Sequence, residues 1–277
     1  MRNGIDFKSD SEKREIFFSV VVPVYKNSET LLMLHERLTH SISSLTDRYE
    51  IIFVNDSCPY GSLDILKSII QKDEQVGVVD LPQNFGQHLA ILVGLANSRG
   101  DFIAVIDADL QDLPEAIPSL LSALVSSPNL DVILAVRKGE YESALRMFTS
   151  RVFKTLIQWI CKIPRNAGSF CVMNRSTAER VLSLPIVKPY LLVLLSASGA
   201  QIGTVPVVRQ KRSFGSSAYT EWKRLKLALS ALYSLIALKY LRINSGLTFS
   251  EFLKTLPIRR LGAVFEGETG FVQRGEH

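Results

Sequence analysis

The run Ile103-Ala104-Val105-Ile106-Asp107-Ala108-Asp109 ends an apolar stretch in two carboxylates one residue apart. Along an extended chain, residues i and i+2 face the same side, so Asp107 and Asp109 present oxygens to one point. Oxygen donors of this kind suit a hard divalent cation, Mg2+ or Mn2+, commonly held by one or two carboxylates together with substrate phosphates. The apolar residues anchor a buried strand. The acids then fall at its carboxyl end, where open α/β sheets bind ligands. An isolated Asp-x-Asp is more often a turn or a helix cap. Here Gln111-Asp112-Leu113-Pro114-Glu115 follows, with proline and acids placed as in the first turn of a helix. That context favours the metal site.

The surrounding pattern supplies the elements that hold such a site. Phe17 to Val24, Glu50 to Val54, Val76 to Asp80 and Phe102 to Ile106 read as strands. Glu29 to Ser44, Leu63 to Gln71 and Gln87 to Ser98 read as the helices between them, and Asp112 to Ser126 as the next. Strands alternating with amphipathic helices indicate βαβ units and a mostly parallel sheet. Further strands are expected at Asp131 to Ala135, Ala167 to Met173 and Ile202 to Val208, with helices at Ser143 to Ile160, Ser176 to Leu184 and Pro189 to Ser196. From Glu221 to about Leu241 the chain reads as helical again, and a short amphipathic helix follows Gly246. The expected organisation is a polar segment over 1–15, an α/β catalytic domain over 16–220, and an amphipathic helical extension over 221–277 that serves as a membrane-interface or dimerisation element.

Composition narrows the class. Hydrophobic residues make up 47% and charged residues 21% of the chain, a globular balance rather than a disordered one. Cys58, Cys161 and Cys171 have neither metal-ligand spacing nor an even count, which favours a reducing compartment. No signal peptide is expected. The longest apolar stretch, Leu227 to Leu238, is bounded by Lys226 and Lys239 and is too short for a span of about 20 residues. The formal charge of +5 is unevenly placed, with net +4 over 137–162 and net +5 over 209–226. Such patches attract phosphates or an anionic membrane surface. No nucleic-acid module or stacking motif accompanies them, so nucleic acid is not an expected partner.

The motifs, taken in order, resemble a family-2 glycosyltransferase of GT-A fold, closest to the polyprenyl-phosphate glycosyltransferases such as dolichyl-phosphate mannose synthases and undecaprenyl-phosphate aminoarabinose transferases. The matching segments are Ser19 to Tyr25, Ile51 to Asp56, Asn84 to Ala90, Val105 to Glu115, Val136-Arg137 with Arg146 and Ser150, and Arg212 to Tyr219. The resemblance implies a nucleotide-sugar donor and a lipid-phosphate acceptor. Pro23, Tyr25 and Asp56 would line the base and ribose pocket, with Asn84 and Gln87 beside the nucleotide. Asp107 and Asp109 would hold the metal, with Gln111 next to them and Asp112 a further catalytic candidate. Arg137, Arg146, Ser150 and Arg212 would grip the acceptor phosphate, the arginines offering planar forks suited to phosphate oxygens.

Departures from the family pattern bear on the acceptor. Asn55 stands where many relatives carry an acid, and Asn166 and Cys171 stand in place of the acid and arginine of Asp-x-Gly-x-x-Arg. A sugar hydroxyl needs a base to remove its proton, and asparagine is not one. A phosphate monoester, with its second pKa near 6, is already anionic at neutral pH. Asn166 therefore favours a phosphate acceptor, unless Asp112 or another acid serves as the base. The expected activity is an inverting, metal-dependent transfer, with a UDP-sugar the expected donor, to a polyprenyl phosphate on the cytosolic membrane face, with the protein bound peripherally. The alternative acceptor is a hydroxyl of a lipid-linked surface polysaccharide such as an O-antigen or capsule intermediate. A more distant alternative is a non-catalytic nucleotide-sugar-binding subunit. A homo-oligomer through the apolar C-terminal helix is also compatible.

Overall fold

The computed structural model describes residues 16–138, 163–164, 166–185, 188–210, 233 and 247–265. Eight strands among these form one sheet: β1 (Phe18–Val24), β2 (Tyr49–Asn55), β3 (Val76–Asp80), β4 (Phe102–Val105), β5 (Val132–Lys138), β6 (Ala167–Asn174), β7 (Ile202–Val208) and β8 (Arg259–Leu261). Their order is β7-β5-β6-β4-β1-β2-β3-β8. The β1–β2, β1–β4, β2–β3 and β5–β7 pairs are parallel, whereas β6 and β8 run antiparallel to their neighbours. The helices are α1 (Leu31–Ser43), α2 (Ser62–Ile70), α3 (Gln87–Asn97), α4 (Ile117–Val125), α5 (Arg175–Leu182), α6 (Leu191–Ala197) and α7 (Phe249–Lys254).

Strands β1 to β4 are buried on both faces, which explains why they read as near-continuous apolar runs. Val20, Val22 and Val24 of β1 pack into one core with Leu34 and Leu38 of α1, Leu66 of α2 and Leu120 of α4. Val21 faces the other core, with Leu89 to Val93 of α3 and Leu191 to Leu195 of α6. The fit of α3 on the sheet depends on Gly94, where a Cβ would lie 2.2 Å from Val21 Cγ1. Two expectations change. The helix expected from Asp112 begins only at Pro114, as a 3-10 turn leading into α4, because Asp112 instead forms an isolated bridge with Arg209. The chain beyond residue 220 also reaches the sheet. β8 joins the sheet beside β3 and Phe249 of α7 lies in the core, so this part of the expected extension belongs to the α/β body. The helices expected over 143–160 and 221–241 lie outside the described residues, apart from Tyr233, which is helical.

Candidate active site

The carboxyl ends of β1, β2 and β4 converge on one edge of the sheet. The ladder of β4 ends at Val105, so Asp107 and Asp109 lie in the turn that follows rather than on the strand itself. The alternation nevertheless persists. Ala104, Ile106, Ala108 and Leu110 all enter the core on the α1 and α4 side, which leaves the intervening acids off that face. Leu110 adopts φ 57°, a left-handed conformation unusual for a leucine, and the Gln111 N–H donates to Asp109 Oδ1 at 3.1 Å. The Thr30 hydroxyl, buried at the start of α1, lies 2.6 Å from the Ala108 carbonyl and fixes the residue between the acids. Sequence reasoning missed Thr30, because a buried threonine at a helix start reads as an ordinary cap.

Asp107 is held from two sides. The Gln87 amide donates to its Oδ1 at 2.7 Å and the Ser169 hydroxyl donates to the same oxygen at 2.8 Å. Gln87 is the first residue of α3. It follows Gly86, whose φ of 94° and ψ of 154° only glycine adopts without strain. Asp56 organises this entry. Its Oδ1 accepts from the Phe85 N–H at 2.7 Å, and its Oδ2 accepts from the Gly86 N–H at 2.9 Å and from Asn84 Nδ2 at 2.8 Å. Burial pushes the Asp56 carboxyl above the usual carboxylate range, and the Phe85 and Gly86 N–H groups oppose that shift. The side chain assigned to face a base thus grips the loop that carries Gln87. Asn55 is engaged on both ends of its amide, its Oδ1 accepting from the Cys58 N–H at 3.4 Å. Its Nδ2 donates to Asp80 Oδ1 at 2.7 Å, and Arg259 from β8 bonds the other Asp80 oxygen.

The remaining sites sort as follows. Pro23 is buried within β1, and Tyr25 is half-buried just after it. The Lys26 ammonium sits 5.4 Å from the Tyr25 ring centroid and 5.6 Å from that of the exposed Tyr60, a contact no motif signals. Asp112 is buried and pairs with Arg209, Nε to Oδ1 3.4 Å, while the Gln210 N–H donates to the Gln111 carbonyl. These bonds tie the segment entering residue 211 to the Asp107–Asp109 turn. Arg137 lies on β5 in register with Val207 of β7. Arg146, Ser150 and Arg212 lie outside the described residues. Asn166 is exposed at the start of β6, and Cys171 is fully buried, its thiol pushed up to about 12 by burial, with the Asp107 charge adding to the shift.

Among the described residues, no group of three or more His, Cys, Asp or Glu side chains forms a complete metal cage. The donors at the turn are carboxylate oxygens, the chemistry Mg2+ and Mn2+ select, and such ions take their remaining ligands from substrate phosphates and water. The residues therefore fit a divalent ion carried in with a diphosphate.

This architecture, a mostly parallel sheet with carboxylates in the turn after its central strand, defines a GT-A type fold. The chain belongs to glycosyl transferase family 2, whose model matches residues 19–182, and it is a glycosyltransferase. It is 32% identical over 222 residues to the uncharacterized glycosyltransferase YkcC of Bacillus subtilis (strain 168), covering 79% of this chain and 68% of that protein. It is 33% identical over 223 residues to the undecaprenyl-phosphate 4-deoxy-4-formamido-L-arabinose transferase of Serratia proteamaculans (strain 568), covering 79% of this chain and 66% of that one. The chain thus spans about two thirds of the length of these relatives. Among solved structures, glucosyl-3-phosphoglycerate synthase from Mycobacterium tuberculosis in complex with Mn2+, UDP and glucosyl-3-phosphoglycerate superposes with a TM-score of 0.60 at 16% identity, over 82% of this chain and 81% of that one. The mannosyltransferase PcManGT from Pyrobaculum calidifontis, in complex with GDP-Man and Mn2+, gives 0.59 at 15% identity, over 83% and 65%. These likenesses establish the fold.

Proposed function

We propose that this glycosyltransferase moves a sugar, with inversion, from a nucleotide-sugar donor to a polyprenyl phosphate at the cytosolic membrane face, with UDP-sugars the first donors to test. One observation carries the choice of acceptor. Three carboxylates at this sheet edge are already committed: Asp56 to the 84–86 loop, Asp80 to Asn55 and Arg259, and Asp112 to Arg209. Asp107 and Asp109 are reserved for the metal. None of these five acids is then left to deprotonate a sugar hydroxyl, and Asn166 offers no base. A phosphate acceptor requires no such base, only positioning and charge relief. The family relatives named as undecaprenyl-phosphate transferases support the same reading.

In this reading Asp107 and Asp109 hold Mg2+ or Mn2+ against the donor diphosphate. The ion, when bound, neutralises charge that develops on the leaving nucleoside diphosphate. Pro23 and Tyr25 border the base, and Asp56 shapes the pocket by fixing the 84–86 loop. Arg137, Arg146, Ser150 and Arg212 orient the acceptor phosphate. No helix among the described residues is long and apolar enough to cross a membrane. Peripheral attachment through the basic segments 137–162 and 209–226 is the proposed route to the lipid, and co-sedimentation with anionic liposomes tests it. The test of function is to screen nucleotide sugars with Mn2+ for thermal stabilisation and then to supply radiolabelled donor with undecaprenyl phosphate. A lipid-soluble, acid-labile product is expected, because a glycosyl phosphate hydrolyses readily. An acid-stable product, or transfer only to lipid-linked glycans, would assign the hydroxyl acceptor instead.

A further inference from the structure

The strand register places one residue on Asp107 that no motif marks. In the antiparallel β4–β6 pair, Phe102 lies opposite Asn174 and Val105 opposite Cys171. Continued by two residues, the same register sets position 107 opposite 169, and the Ser169 hydroxyl does donate to Asp107 Oδ1 at 2.8 Å. On its other side β6 departs from regular pairing. Between Leu134↔Cys171 and Val136↔Ala167 it takes four residue steps while β5 takes two. Irregularities of this kind re-aim side chains next to active sites. From the opposite side Gln87 donates to the same oxygen at 2.7 Å, and its Nε2 lies 3.3 Å from Ser169 Oγ. Two neutral donors from separate elements thus converge on one carboxylate oxygen.

We propose that Ser169 and Gln87 are positioning residues that orient Asp107 for the divalent cation, and that through Ser169 the strand following Asn166 is mechanically coupled to metal binding. This inference rests on the metal-dependent reading above. Neither residue need touch the ion or the substrate. Together they hold the carboxylate in one rotamer before the ion arrives, so that binding does not have to order it. Outer-shell partners of metal ligands characteristically act this way, and losing one typically weakens metal affinity or activity 10–100-fold. Hydrogen-bonded neutral donors also suit the position better than a cation, which would compete with the metal for the carboxylate.

The test is Mn2+ titration of the full chain in the presence of UDP or GDP, followed by the electron paramagnetic resonance signal of free Mn2+, so that turnover is not the readout. Ser169→Ala and, independently, Gln87→Leu are expected to weaken Mn2+ binding about tenfold each. Ser169→Thr, which keeps the hydroxyl, is expected to stay close to wild type. Loss of one hydrogen bond with a merely structural role would move the thermal midpoint by about 2–4 °C and leave Mn2+ affinity untouched. Wild-type Mn2+ affinity in both Ser169→Ala and Gln87→Leu overturns the inference while leaving the proposed function standing. A wild-type protein that takes up no Mn2+ with either nucleotide overturns the metal reading itself, and this inference with it.

Discussion

Replacing Asp56 by asparagine isolates the loop-holding role that the structure gives this residue. Asparagine keeps the volume but has one acceptor oxygen. Phe85 N–H and Gly86 N–H approach different oxygens of Asp56, so one of them must meet an NH2 group in the variant. A charge-assisted hydrogen bond to a backbone N–H contributes roughly 1.5–3 kcal/mol, and the unsatisfied N–H adds to the cost. Against this, burial already disfavours the Asp56 charge, and the neutral amide avoids that penalty. The net expectation is a loss of about 2 kcal/mol, a fall of about 4–8 °C in thermal midpoint for a chain of this size. The loop also carries Gln87 to Asp107, so binding of Mn2+ with nucleotide should weaken even at temperatures where the variant is fully folded. Differential scanning fluorimetry and the Mn2+ titration read the two effects separately. A variant that melts within about 1 °C of wild type and binds Mn2+–nucleotide equally well would refute the argument that Asp56 acts through the 84–86 loop.

Three other outcomes follow from packing and charge. Gly94→Ala should cost about 1–3 kcal/mol in urea denaturation, because its methyl would meet Val21 in a close-packed interface. Asn55→Asp would set a second carboxylate against the buried Asp80, 2.7 Å away across the present hydrogen bond. It should destabilise the fold at pH 7 and recover part of the loss on acidification, as one of the pair takes up a proton. His88, beside Tyr190 and 3.4 Å from the Leu191 N–H at the start of α6, is held neutral, its pKa lowered to about 4 by burial. A lowered imidazole pKa stabilises the fold above the unfolded value of about 6.5 and loses that contribution as pH falls toward 4. The full loss has an upper bound of about 3 kcal/mol, reduced because His88 as a residue keeps some solvent exposure, and His88→Gln should flatten the stability profile between those pH values.

Much of this architecture is legible in the sequence because burial on both sheet faces writes apolar runs that the intervening helices punctuate. β3 and β7 emerge with the expected ends and β1, β2, β4, β5 and β6 within a few residues, whereas the short strand β8 is not among the expected ones. What stays hidden is long-range. Nothing in Ala167 to Asn174 states that β6 runs antiparallel between β4 and β5, so the placement of Ser169 against Asp107 is visible only once the register is known. Asn55 reads as a weakened family acid, and its bond to Asp80 depends on β2 and β3 being adjacent. Asp112 carries the proline and acid signals of a helix start, yet the bridge to Arg209, nearly a hundred residues away, takes precedence over that local preference. Asp107 and Asp109 were recognisable because the alternation of Ala104, Ile106, Ala108 and Leu110 is itself written in residue type.

The central claim is that Asp107 and Asp109 share a divalent cation with a donor diphosphate. Anomalous diffraction from crystals grown with Mn2+ and a bound nucleotide sugar tests it most directly. The account predicts one manganese peak at the turn after β4, within coordination distance of both a carboxylate there and the diphosphate, and its loss in Asp109→Ala. A peak elsewhere with the donor bound, or undiminished Mn2+-dependent transfer by Asp109→Ala, would contradict it.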